Sequence, residues 1–260
     1  MRSILVFADR SEAMAGRLET ALSLSRISEG HLTLVVDTPV TRFLSVDSMG
    51  GSFVATDAIR EALDADDALA AELEARLSRD DVAFDVVRCE DEPVDALADL
   101  ARLADIVVLS KGCEFAGQLT LATRCPVLLA PRSGVGPMPP ERACIAWDGG
   151  NESAGALRSA LPLLRHAQEV SLLTVTEKPD GFAAADALQY LSRHGVKAEF
   201  EEIARKGSVE ESLSAAVARR RGQLLVMGAF GRSRMRELLF GGVTRHFLGS
   251  TDGPMLLLAH

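Results

Sequence analysis

The sequence predicts an α/β protein made of two tandem open-sheet domains, 1–131 and 143–260, joined by a Pro/Gly-rich linker at 132–142. Three observations carry that prediction. Short unbroken apolar runs, such as Ile4–Ala8 and Leu224–Met227, have the composition of strands buried on both faces. Helical periodicity follows most of them, and strand–helix alternation calls for a parallel sheet with helices on both faces. The chain also repeats itself. One constant shift sets Asp9 on Asp148, Ala15-Gly16 on Ala154-Gly155, Leu18 on Leu157, Ala21-Leu22 on Ala160-Leu161 and Arg26 on Arg165.

Taken in order, the first half opens with strand Ile4–Ala8, ending at Asp9. Ala15, Leu18, Ala21, Leu22 and Leu24 then place one apolar face on a helix of about 12–28. Gly30 ends it, and Leu32–Val36 is a second strand. The stretch 37–56, with Pro39 and Gly50-Gly51, reads as an irregular surface loop. An amphipathic helix is expected over 57–79, a strand over Val82–Val87, a helix over 93–103 and a strand over Ile106–Leu109. A short helix within 115–123 and strand Val127–Ala130 close this half. Pro131–Pro140 holds four prolines and two glycines, a composition poor in helix and strand formers. The pattern then restarts, with strands at Ala143–Trp147, Val170–Val175, Lys197–Ile203, Leu224–Met227 and Met255–Leu258. Helices are expected over Ser153–Arg165, 182–194, 208–221 and 242–249.

Composition narrows the function. The chain of 260 residues is 47% hydrophobic and 25% charged, which fits a globular protein. No apolar run approaches the roughly 18 residues of a membrane span, and no signal peptide is expected, so the reading is cytoplasmic. Its four cysteines are scattered and suggest neither a disulfide framework nor a zinc site. A net charge of −9 argues against nucleic acid as a partner. Residues 1–131 carry 12 Lys+Arg and 23 Asp+Glu, whereas 132–260 carry 16 and 14, so an anionic ligand meets less repulsion in the second half.

The most informative stretch is 223–244. A buried strand ends at Gly228, Gly231 follows, and Gly241, Gly242, Val243 and Thr244 lead into a new helix. Glycines between a strand and a helix start let backbone N–H groups approach an anion, and the helix dipole adds to the attraction. The spacing Gly228-x2-Gly231-x9-Gly241 resembles the nucleotide-binding signature of the universal stress protein family, G-x2-G-x9-G-[ST]. Gly242 stands where that family has Ser or Thr, and Thr244 could supply the hydroxyl instead. Both halves resemble universal stress protein domains, so the chain is similar to a tandem member of that family.

The resemblance implies a five-stranded parallel sheet in each half, with ATP, with or without magnesium, as the cofactor. It implies a stress-response or regulatory module, and an intrachain pseudo-dimer in which Val127–Ala130 and Met255–Leu258 meet antiparallel. A further homodimer between chains is compatible with it. It implies that Asp148 lies near the ribose and Val175 near the adenine edge, with Met227 and Gly228 flooring the ribose. Gly231, Gly241, Gly242, Val243 and Thr244 would hold the phosphates, and Arg232 and Arg234 could add charge-assisted contacts or form a solvated basic face. Asp148 could equally serve as a helix cap or loop aspartate, and Trp147 could stack on adenine or pack in the core. In the first half the corresponding loop is ten residues shorter and lacks the glycine pair, so one nucleotide site per chain is expected. Lys111 there reads as an anion contact or a solvated lysine.

No nucleophile–base pair, metal cluster or paired carboxylates near the glycine loop stands out, so an efficient enzyme is not expected. Two rivals remain. One is a module that has lost ATP and binds another metabolite or a lipid-like ligand. The other is a slow ATP-hydrolysing enzyme.

Overall fold

The computed structural model describes residues 1–38, 44–46, 52–54, 56–175, 182–231 and 242–260. The first half runs β1 (Ser3–Ala8), α1 (Met14–Ser28), β2 (His31–Asp37), β3 (Leu44–Val46), β4 (Ser52–Val54), α2 (Thr56–Leu77) and β5 (Ala83–Cys89). It continues with α3 (Pro93–Leu100), β6 (Ile106–Ser110), α4 (Ala116–Ala122) and β7 (Val127–Ala130). The second half runs β8 (Arg142–Ala146), α5 (Asn151–Leu164), β9 (Glu169–Val175), α6 (Ala184–Arg193) and β10 (Glu199–Ile203). Then come α7 (Val209–Arg219), β11 (Leu224–Gly228), α8 (Gly242–Gly249) and β12 (Met255–Ala259).

Ten of these strands form one sheet, in the order β10-β9-β8-β11-β12-β7-β6-β1-β2-β5. The two five-stranded sheets implied by the sequence are therefore fused. Within each half of this sheet every ladder is parallel, and the first strand of the half lies at the centre. At the seam β12 and β7 run antiparallel, with Leu256 opposite Leu129 and Leu258 opposite Val127. An apolar strand at the open edge of a sheet is an aggregation hazard, and pairing the two last strands removes it from both halves. This is the antiparallel pairing that the resemblance implies.

The sheet separates two apolar layers. Leu18, Leu22, Leu73 and Leu77 from α1 and α2, with Leu157 and Leu164 from α5, pack on one face. Leu97, Leu119, Leu213 and Phe247, from α3, α4, α7 and α8, pack on the other. Strand residues alternate between the layers, so β6 sends Ile106 and Val108 one way and Val107 and Leu109 the other. Helix α7 begins with a capping box, in which Ser208 Oγ accepts from the Glu211 N–H and the Glu211 carboxylate accepts from the Ser208 N–H.

One expected feature differs. The stretch 37–56, read as irregular, contains the antiparallel ladder β3–β4. Leu44-Ser45-Val46 and Ser52-Phe53-Val54 carry the β-branched and aromatic residues that favour strands. The proline and glycines around them dominated the sequence reading.

Candidate functional site

In an open α/β sheet, ligands gather where the strand order reverses, because the loops leaving the two strands diverge there. In the second half that point lies between β8 and β11. A cleft of about 470 Å³ opens there, well inside the roughly 300–1,000 Å³ usual for small-molecule sites. Trp147 and Asp148, just past β8, form one wall, and Val175 closes the end of β9. Met227, Gly228 and Gly231 form the floor along β11, and Gly242, Val243 and Thr244 at the start of α8 form the far side. Eight of the ten residues singled out from the sequence are thus brought together around one space. Arg232 and Gly241, like Arg234, lie outside the described residues.

The geometry refines several roles. Asp148 Oδ1 accepts the Gly150 N–H at 2.9 Å, so the carboxylate closes a turn. It does not cap α5, whose N-cap is Gly150. Trp147 is 7% exposed and its indole N–H donates to the Phe182 carbonyl at 3.2 Å, so it belongs to the core and to the cleft wall at once. Thr244 is buried, and its hydroxyl accepts the Phe230 N–H at 3.4 Å. Phe230 has φ of 63°, a left-handed conformation that costs a bulky residue energy and recurs at functional sites.

Gly228 is constrained differently from the sequence expectation. A Cβ there would lie 2.5 Å from the Glu152 carbonyl carbon and would also overlap Ser153 N. The glycine is needed because the end of β11 packs against the backbone of the first turn of α5. At Gly231 a Cβ would overlap the carboxylate of Glu152. Glu152, Phe182 and Phe230 all line the cleft, and sequence reasoning missed all three. The only signal for Glu152 was an acidic residue in a first helical turn, which ordinarily marks a dipole complement.

The first half is closed at the matching place. Arg17 sits on α1 where the repeat puts Ala156 on α5, and it is only 3% exposed. Its Nε donates to Ser110 Oγ at 2.9 Å, one terminal nitrogen to the Phe7 carbonyl and the other to Asp9 at 3.3 Å. The guanidinium carbon lies 5.7 Å from the Phe7 ring centroid. Asp9 and Ser110 are the counterparts of Asp148 and Gly228, so a side chain of the protein fills the space between β1 and β6. Lys111 is neither an anion contact nor solvated. It is 4% exposed and its ammonium donates to the Asp252 carbonyl at 2.6 Å across the seam. Burial pushes it below the usual lysine range, with the Asp252 charge opposing.

Fold and cleft together define a tandem α/β protein with an open cleft at the strand-order switch of its second half. Residues 140–259 match the sequence model of the universal stress protein family. The first half lies outside that match and repeats the same fold. The structure of a universal stress protein from Archaeoglobus fulgidus DSM 4304 superposes with a TM-score of 0.72 at 16% identity, covering 98% of this chain and 97% of that one. A universal-stress-type protein from Pseudomonas aeruginosa UCBPP-PA14 gives 0.62 at 17% identity, over 100% and 93%. At such identities the likeness is one of fold. Comparison with curated proteins returned no match. No helix among the described residues is long and apolar enough to cross a membrane.

Proposed function

We propose that the protein is an adenine-nucleotide-binding regulatory module of the stress-response type, with one site per chain, in the cleft of its second half. The observation that carries this reading is the convergence of Asp148, Val175, Met227 and the glycines after β11 on one cleft, while Arg17 fills the matching space in the first half. The fit is good at the base and ribose end. Val175 and Met227 offer apolar surface, the buried Trp147 borders them, and the Asp148 carboxylate can accept from ribose hydroxyls. ATP, as its magnesium complex, is the ligand we assign first.

We assign binding and not efficient turnover. The Ser153 hydroxyl, which lines the cleft, donates to the Gly150 carbonyl at 2.9 Å and so serves the start of α5. Calorimetry with magnesium-ATP should give one site per chain, weakened by Asp148→Ala and unaffected by Asp9→Ala. Saturation at a hundred times the dissociation constant should stabilise the fold by about 2.7 kcal/mol. Turnover should stay far below the ~10 per second typical of enzymes. Two equivalent sites, or rapid turnover, would overturn the assignment. The apolar side chains of Phe182, Leu213 and Phe230 favour the rival of a lipid-like ligand, and mass spectrometry of the co-purified ligand decides between them.

A further inference from the structure

Among the described residues, the glycine end of the cleft carries an acidic side chain where a phosphate donor would be expected. Glu152 occupies the first turn of α5 and lines the cleft. Its carboxylate lies against Gly231, whose ideal Cβ would be 2.9 Å from Glu152 Cδ. It also lies near Gly150, whose Cβ would be 3.4 Å from Glu152 Oε2. No described residue donates a hydrogen bond to this carboxylate or forms an ion pair with it. The N-terminus of α5 borders the same cleft as that of α8, and the chain's own anion already stands at the α5 end. Thr244 and the Phe230 N–H are bonded to each other, which turns one loop donor away from the cleft. Gly242 brings no hydroxyl at all.

We infer that Glu152 is a specificity-determining residue that penalises unscreened phosphate charge, so that the nucleoside part of the ligand carries the affinity. This rests on the adenine-nucleotide reading above and says which charge state of the ligand the cleft accepts. A triphosphate without a divalent cation sets several negative charges within a few ångströms of the carboxylate. At the effective dielectric of a partly wet cleft, one such like charge is worth about tenfold or more in affinity. A cation bound to the triphosphate screens that repulsion, and adenosine or AMP meets little of it.

The test is a set of titrations of the full chain with adenosine, AMP and ATP, in EDTA and in magnesium, for wild type, Glu152→Gln and Glu152→Ala. In EDTA, wild type should bind ATP no more tightly than adenosine. Both variants should tighten metal-free ATP by about tenfold while changing adenosine by less than about twofold. Magnesium should narrow the difference between wild type and variants. Unchanged adenosine affinity also shows that the variants are folded. Metal-free ATP binding to wild type about tenfold more tightly than adenosine would overturn the inference, as would an ATP-to-adenosine ratio that neither variant changes. If adenosine binds to none of the three proteins, the nucleotide reading itself fails and the inference falls with it.

Discussion

Replacing Arg17 by alanine tests why the two halves differ. The guanidinium is 3% exposed and ties together the end of β1, the end of β6 and α1. Two of its hydrogen bonds, to Ser110 Oγ and the Phe7 carbonyl, run from a charged donor in a buried place, each worth ~1.5–3 kcal/mol. The ion pair with Asp9 adds less, because that carboxylate is 31% exposed and solvent screens it. The loss should therefore be about 3–5 kcal/mol, in the range for breaking a buried charge network. Asp9→Ala should cost only ~1 kcal/mol or less, since water can replace much of what the carboxylate gives. Urea unfolding of the full chain measures both, and their double mutant separates the shared part. A loss below about 1 kcal/mol for Arg17→Ala would refute the reasoning. It would mean that the side chain is dispensable packing and that its absence from the second half does not explain the open cleft there.

Two further outcomes follow from the same geometry. Gly228→Ala should lower stability by ~1–3 kcal/mol in thermal melts, because its Cβ meets the backbone of α5, which cannot move aside as a side chain can; a variant with wild-type stability and only its binding lost would restore the ligand-space explanation. Burial pushes the Cys125 thiol up to about 12 and the Cys144 thiol to about 11, from 9.0 in the unfolded chain, so stability is full below pH 9 and falls as the unfolded state alone ionises, by ~1.4 kcal/mol per thiol at pH 10. Denaturant midpoints across that range should flatten in Cys144→Ala, and an unchanged slope would contradict it.

The chain announces its strands plainly because they are buried on both faces. Leu224–Met227 and Val127–Ala130 need no alternation to be read, and the structure keeps nearly the same bounds. The cleft was legible for the same reason. Its glycines and Asp148 follow the ends of strands that the apolar runs mark. What stayed hidden depends on contacts distant in sequence. Gly228 resembles a phosphate-loop glycine until α5 is seen pressing against it. Arg17 is the one charged residue on the buried face of α1, yet only the tertiary fold shows that it reaches the ends of β1 and β6. Glu152 is ordinary as a first-turn acid and becomes notable only where Gly231 passes beside it.

The first half earns its place through the seam. Strands β7 and β12 are no more than about 5% exposed at any residue, and each would become an open apolar edge without the other. The loop after the fourth strand of each half takes a different task. After β11 it is long in sequence, and its Phe230 and Gly231 border the cleft. After β6 it is short, and Lys111 reaches across the seam to the Asp252 carbonyl, just before β12. A buried ammonium is costly unless it is bonded, so that contact fixes where the second half's last strand begins. The corresponding loop thus borders a cleft in one half and holds the partner half in the other. Retention of a first half whose cleft is filled by Arg17 follows from the sheet, since β12 requires β7 whether or not the first half binds anything.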